Sequence, residues 1–211
     1  LYINGEKIEG ISTIIRGREV ILTNIPKNIN PNDLVVVSPS NMYNPCKVSM
    51  RSYLDKYYYS KEIGVSFLPE DIVLRLWAPT AYKVEVALYN NYDDLNNYYC
   101  SIAEMAYDQR TGTHYIAIDR EINEGKYYLY KLYFRDINND GETIDKINYA
   151  VDPYAFAVGI NGDKGALIDI NSSECKPLGW REDKSPDIKR KNDSIIYEIH
   201  VRDFTIDKSS D

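Results

Sequence analysis

The chain has 211 residues, of which 44% are hydrophobic and 27% charged, and this composition predicts a globular protein with one or two cores. Its net charge of −7 argues against nucleic acid or a membrane as a partner, and no apolar run approaches the ~20 residues of a membrane helix. With three widely spaced cysteines and two histidines, we expect no disulfide framework, metal site or cofactor. A reducing, cytoplasmic location is the matching expectation.

The first part of the chain predicts short strands separated by polar turns. Asn4-Gly5 favours a tight hairpin turn, because both residue types tolerate a positive φ. Strand-like alternation follows at Glu19–Thr23 and Leu34–Val37, with proline and asparagine residues between the two runs. We therefore expect a small N-terminal β domain over residues 1–60.

A second β domain is predicted over residues 61–155. Apolar and polar residues alternate there in several segments that turn residues separate, which is typical of an antiparallel sandwich. The clearest segments are Ile72–Trp77, Lys83–Tyr89, Tyr115–Ile118 and Lys126–Arg135. The predicted fold class is all-β, with the small N-terminal domain followed by an immunoglobulin-like β-sandwich.

Residues 156–192 are predicted to form a linker. Gly159, Gly162 and Gly165 indicate turns, and a short strand is expected at Leu167–Ile170. A charged stretch then leads to an apolar run of a different kind.

That apolar run, Ser194–Val201, resembles a buried strand of a parallel sheet. Such a strand needs a partner that is reached through a crossover connection, so we expect its sheet to lie beyond Asp211. Residues 193–211 are therefore predicted to begin another domain.

Glu198, His200 and Arg202 alternate along this run and would share one face of the strand. They are candidates either for the polar interior of a barrel or for a place near a pocket, because barrel active sites lie at the C-terminal ends of strands.

An acidic segment, Asp136–Gly141, matches the first half of a calcium-binding EF-hand loop. The twelfth position of such a loop should be a glutamate, and here it is Ile147. A hairpin turn is the preferred interpretation, with a calcium site as the alternative.

The 20 tyrosines against four phenylalanines suggest sugar binding, since aromatic faces stack on sugar rings. The tyrosines cluster at Tyr57–Tyr59, Tyr98-Tyr99 and Tyr127–Tyr130. In alternating strands most such side chains pack across the sheet, so packing is the preferred interpretation. No substrate-binding residue is assigned from the sequence.

Four motifs follow one another along residues 58–211: Leu76–Ala81 (LWAPTA), Val151–Ala155 (VDPYA), Pro177–Trp180 (PLGW) and Ile195–Phe204 (IIYEIHVRDF). In this order they resemble type I pullulanases of glycoside hydrolase family 13. The first two are similar to the opening strand and the exit of a starch-binding-type sandwich, carbohydrate-binding module family 48. The third is similar to the linker of these enzymes, and the fourth to the first strand of their catalytic (β/α)8 barrel. Leu22–Pro26 and Met42–Pro45 are similar to the small N-terminal domain of the shorter members.

The resemblance implies the non-catalytic N-terminal region of an enzyme that hydrolyses α-1,6-glucosidic linkages in pullulan, starch and glycogen. Its partners would be these α-glucans and the remainder of the catalytic domain. In the family the nucleophilic aspartate, the acid/base glutamate and the stabilising aspartate lie on later barrel strands, so the catalytic residues are expected beyond Asp211. The chain alone is then expected to be inactive, because glycosidic cleavage requires such paired carboxylates. Glu198, His200 and Arg202 would support the base of the pocket from behind. A stand-alone glucan-binding or scaffold module without activity is the alternative.

Overall fold

The computed structural model describes residues 1–38 and 44–209 of the chain. Met42 and Tyr43, which were compared above with the N-terminal domain of pullulanases, lie outside the described residues. The chain forms two compact units, Leu1–Ser172 and Ser173–Asp211. The predicted all-β class is confirmed, since the helices of the described residues are only three to six residues long.

The N-terminal strands form a four-stranded sheet and a separate hairpin. Their bounds are β1 Tyr2–Ile3, β2 Glu6–Lys7, β3 Ser12–Arg16, β4 Glu19–Thr23, β5 Val35–Val37 and β6 Cys46–Lys47. The sheet has the order β2-β1-β5-β6, and β3 pairs with β4. The predicted Asn4-Gly5 turn joins β1 to β2, with φ values of 52° and 87°. The Asn4 side chain fixes the turn by donating to Asp33 Oδ1 at 2.8 Å and accepting the Leu34 N–H at 2.9 Å.

Two antiparallel sheets form the sandwich. One has the order β11-β12-β8-β7, and the other the order β10-β9-β13-β14 with β15 also paired to β13. The bounds are β7 Gly64–Phe67, β8 Asp71–Trp77, β9 Lys83–Tyr89, β10 Ser101–Glu104, β11 Ala106–Asp108, β12 Thr113–Asp119, β13 Tyr127–Ile137, β14 Thr143–Ala150 and β15 Gly165–Ala166. A helical turn, α1 Arg120–Asn123, lies between β12 and β13 and is capped by Asp119.

The core lies between the two sheets because alternate residues of the facing strands point inward. Its fully buried members include Ile72 and Leu74 of β8 and Val84 and Val86 of β9. Their polar neighbours in sequence point to the two outer faces of the sandwich.

The acidic segment Asp136–Gly141 lies in the hairpin that joins β13 to β14. The Asn138 side chain closes this turn by accepting the backbone N–H groups of Asp140 and Glu142 at 3.0 and 2.9 Å. The hairpin prediction is confirmed. Among residues 1–38 and 44–209, no group of three or more His, Cys, Asp or Glu side chains is placed to hold a metal ion.

Part of the segment 156–192, which was expected to be a linker, pairs with the sandwich in the structure. Tyr127 and Tyr128 of β13 pair with Ala166 and Gly165, so the chain returns to the sandwich here. The strand expected at Leu167–Ile170 lies earlier in the chain, at Gly165–Ala166, because these two residues pair with the first residues of β13. Gly165 therefore lies in a strand rather than a turn.

The second unit contains the single-turn helix α2 Val201–Phe204. Residues 194–200 form no strand in the structure, which differs from the strand predicted over Ser194–Val201. A strand requires a partner for its backbone N–H and C=O groups, and no described residue of the second unit supplies one.

His114 of β12 is buried in the sandwich, with its ring centroid 4.7 Å from that of Tyr107. Burial lowers the pKa of His114 to about 4, against a weaker opposing effect of the Ala78 and Ala81 backbone. Between pH 6.5 and 4 the unfolded chain therefore binds a proton that the folded chain does not bind. We expect the free energy of unfolding to fall by about 3 kcal/mol as the pH drops through this window.

The measurement is urea unfolding at pH 7 and 4.5 for the wild type and His114→Phe, which keeps an aromatic ring against Tyr107. The variant should lose less stability on acidification, whereas the exposed His200→Phe should behave as the wild type. Equal losses in the wild type and His114→Phe would contradict the prediction.

Candidate functional site

The outer face of the sheet β10-β9-β13-β14 carries a polar and aromatic patch, which we call the Lys131 surface. It consists of Glu85 on β9, Lys131 and Tyr133 on β13, and Ile147 and Tyr149 on β14. The strand register places Lys131 opposite both Glu85 and Tyr149, and Tyr133 opposite Ile147. Residues directly opposite each other in antiparallel strands share a face, so these side chains form one continuous surface.

Hydrogen bonds and ion pairs hold the Lys131 surface in place. The Tyr133 hydroxyl donates to Glu85 Oε2 at 2.5 Å, and Lys83 Nζ lies 2.7 Å from Glu85 Oε1. Lys131 Nζ lies 5.3 Å from the ring centroid of Tyr133 and 5.8 Å from that of Tyr149. The ammonium group thus lies between two tyrosine rings, a favourable cation–π arrangement.

The charges of this surface are fixed at neutral pH. Burial favours a higher pKa for Glu85, but the hydrogen bonds from Lys83 and Tyr133 outweigh it and lower the pKa. The neighbouring Tyr133 side chain raises the pKa of Lys131. The surface therefore offers an ammonium donor, a carboxylate acceptor and half-buried tyrosine rings to a ligand. These groups suit a ligand that has both hydroxyl groups and apolar ring faces.

Some side chains of the tyrosine clusters are packed in the core, and others are exposed. Tyr128 and Tyr130 are fully buried, and both donate to Asp152 Oδ2, at 2.9 and 3.1 Å. The packing interpretation is therefore correct for these two residues, whereas Tyr58 and Tyr98 are exposed.

No residue of the Lys131 surface was predicted from the sequence to bind a ligand. The sequence did contain an indication of this surface. Glu85 on β9 and Lys131 on β13 are polar residues that alternate with core residues, which places them on an outer face.

The structure does not place Glu198, His200 and Arg202 together on one strand. His200 precedes α2 and accepts the Asp203 backbone N–H through Nδ1 at 3.4 Å, whereas Arg202 lies within the helix. Within the described ranges, no helix is long and apolar enough to cross a bilayer.

The sandwich matches a known family of domains. Residues 62–155 match the model for carbohydrate-binding module 48, the isoamylase N-terminal domain. The chain is 30% identical over 195 residues to the chloroplastic pullulanase 1 of Arabidopsis thaliana, a match of 86% of this chain and 19% of that protein. It is 27% identical over 156 residues to the pullulanase of Bacillus subtilis, covering 74% of this chain and 19% of that protein.

The chain is also similar to solved structures of pullulanases. The pullulanase of Bacillus acidopullulyticus has a TM-score of 0.65 at 29% identity, over 90% of this chain and 22% of that one. That of Paenibacillus barengoltzii, in complex with maltohexaose and α-cyclodextrin, has a TM-score of 0.57 at 34% identity, over 76% of this chain and 22% of that one. The chain thus spans about a fifth of the length of these relatives. Residues 62–155 thus match the carbohydrate-binding module 48 family, within a chain that is similar to the N-terminal region of pullulanases.

Proposed function

We propose that this chain is part of a pullulanase that hydrolyses α-1,6-glucosidic linkages in pullulan, starch and glycogen, and that its sandwich binds α-glucan through the Lys131 surface. The observation that carries the proposal is the match of residues 62–155 to a carbohydrate-binding family, in a chain related to pullulanases over most of its length. The solved Paenibacillus relative was crystallised with maltohexaose and α-cyclodextrin, which supports the choice of ligand.

The chemistry of the Lys131 surface supports weak glucan binding. Tyr133 and Tyr149 can pack against the apolar face of a glucose ring, and Lys131 and Glu85 can exchange hydrogen bonds with its hydroxyl groups. The surface is open and only part of each ring is accessible, so the contact area is small. We therefore expect a dissociation constant in the millimolar range, about −4 kcal/mol.

The hydrolytic step is assigned to residues outside this chain. A retaining glycosidase uses one carboxylate as nucleophile and one carboxylic acid as proton donor, about 5–5.5 Å apart, through a covalent glycosyl-enzyme intermediate. We propose that Glu198, His200 and Arg202 support the base of that pocket once the apolar run 194–201 pairs with the other barrel strands. The cytoplasm is the proposed location, since the free, exposed thiols of Cys46, Cys100 and Cys175 suit a reducing compartment.

Replacing Lys131 tests the proposed binding surface. Lys131→Met keeps most of the aliphatic stem and removes the ammonium group, so it should weaken binding of maltoheptaose by about 1 kcal/mol, roughly fivefold. The measurement is an NMR titration of the 211-residue chain with maltoheptaose. The same protein should release no reducing sugar from pullulan.

The matched control is Lys27→Met, which changes an exposed lysine of the N-terminal region and should leave the titration unchanged. Equal binding by Lys131→Met and the wild type would contradict the assigned surface. Micromolar affinity would instead favour a stand-alone glucan-binding module, and reducing sugar release from pullulan would contradict the non-catalytic assignment.

A further inference from the structure

The outer face of the other sheet, β11-β12-β8-β7, carries an exposed aromatic cluster, which we call the Trp77 surface. It consists of Tyr58, Tyr59, Arg75, Trp77 and Tyr115. Trp77 and Tyr115 are 39% and 40% exposed and Tyr58 is 75% exposed, although each is a large ring that would gain from burial. Clustered exposed aromatic side chains mark binding sites on protein surfaces.

Contacts within the protein hold this surface rigid. The Arg75 guanidinium lies between two rings, with its Cζ atom 4.8 Å from the centroid of Tyr59 and 4.6 Å from that of Tyr115. Arg75 Nη1 also donates to Thr113 Oγ1 at 3.2 Å. The indole N–H of Trp77 donates to the Thr111 carbonyl at 3.1 Å, which fixes the plane of its ring. A ligand would therefore meet a preformed surface and would not have to order these side chains.

The cluster borders a depression of about 470 Å³ whose lining is rich in hydrogen-bonding groups. The lining includes the Tyr58 and Tyr115 rings together with the side chains of Lys61, Asp108 and Arg110. A docked protein segment would need apolar partners here, whereas flat rings surrounded by donors and acceptors match the two faces of a sugar. Hydroxyl groups of a sugar can donate to Asp108 and accept from Lys61 and Arg110.

We infer that the Trp77 surface is a second α-glucan-binding site, separate from the Lys131 surface. Tyr58 and Tyr115, which line the depression, provide the stacking platform. Trp77 lies beside the depression, bonded to its lining residue Thr111, and Arg75, held between its two rings, keeps Tyr115 in place. The two surfaces lie on opposite outer faces of the sandwich, because both sheets turn their inner faces to one core. One module would then hold two chain segments at once and gain avidity for a branched or granular glucan. The choice of an α-glucan as ligand rests on the proposed function.

The sequence provides a direct reporter for this site. The chain has two tryptophans, Trp77 and Trp180, so its NMR spectrum has two indole N–H signals and Trp180→Phe assigns them. We expect maltoheptaose to shift the Trp77 indole signal along a saturable curve. Lys131→Met should leave this curve unchanged, and Tyr115→Ala should weaken it roughly threefold to tenfold. The wild-type titration requires no variant of the Trp77 surface to fold.

Four results would overturn the inference. If the Trp77 signal stays still while signals around Lys131 shift, the second site is wrong and the proposed function stands. If neither set of signals shifts, both are wrong. If Lys131→Met abolishes the shift at Trp77, the signal is transmitted from the other face. An equal shift with cellopentaose, a β-linked glucan, would contradict the assigned ligand class.

Discussion

Replacing Asp152 with alanine should lower the free energy of unfolding by about 3–5 kcal/mol. Asp152 is buried, and its Oδ2 atom accepts hydrogen bonds from the hydroxyl groups of Tyr128 and Tyr130. Its Oδ1 atom accepts the Tyr154 backbone N–H at 2.8 Å. The substitution leaves these donors without their acceptor inside the sandwich, and each unsatisfied buried donor costs about 1–3 kcal/mol. Urea unfolding followed by circular dichroism measures the loss.

A double-mutant cycle separates the hydrogen bonds from the loss of volume. Tyr128→Phe combined with Tyr130→Phe removes both hydroxyl groups, so adding Asp152→Ala to that background should cost markedly less than in the wild type. We expect a coupling energy of at least about 2 kcal/mol. Additive losses would show that the carboxylate does not act through the two hydroxyl groups.

Replacing Gly165 with alanine should destabilise the protein by about 2–3 kcal/mol. A Cβ atom at this position would lie 2.5 Å from Tyr128 Cε1 and 2.6 Å from Tyr128 Cζ. The Tyr128 ring is fully buried and held by Asp152, so it cannot move aside without breaking its hydrogen bond. Either the ring or β15 must shift, and overpacking of this kind costs about 1–3 kcal/mol. The measurement is again the free energy of unfolding in urea.

The control for this prediction is the same substitution in a Tyr128→Leu background. Leucine has no atoms at the Cε1 and Cζ positions of the ring, so Gly165→Ala should then cost less than about 1 kcal/mol. A loss of the same size in both backgrounds would show that the backbone of β15, rather than the Tyr128 ring, requires glycine.

The strands that could be predicted are those with one buried and one exposed face. Lys83–Tyr89 was predicted at its observed bounds because Val84, Val86 and Leu88 alternate toward the core. Strand β14, Thr143–Ala150, was not predicted, because almost all its residues are exposed and its side chains carry little alternation. An edge strand of this kind is specified by pairing with its neighbour, which the local sequence does not encode.

The sequence by itself determined the β class, the Asn4-Gly5 hairpin and the relationship to pullulanases, because turn propensity, alternation and short motifs are all local in the chain. Only the tertiary structure decided which exposed side chains meet. Alternation tells that Lys131 and Arg75 point outward, but not that Tyr149 and Tyr115 lie opposite them, because strand register joins residues far apart in the chain. The apolar run 194–201 also shows that local sequence alone does not decide the structure. Its composition favours a strand, yet a strand forms only where a partner satisfies its backbone hydrogen bonds.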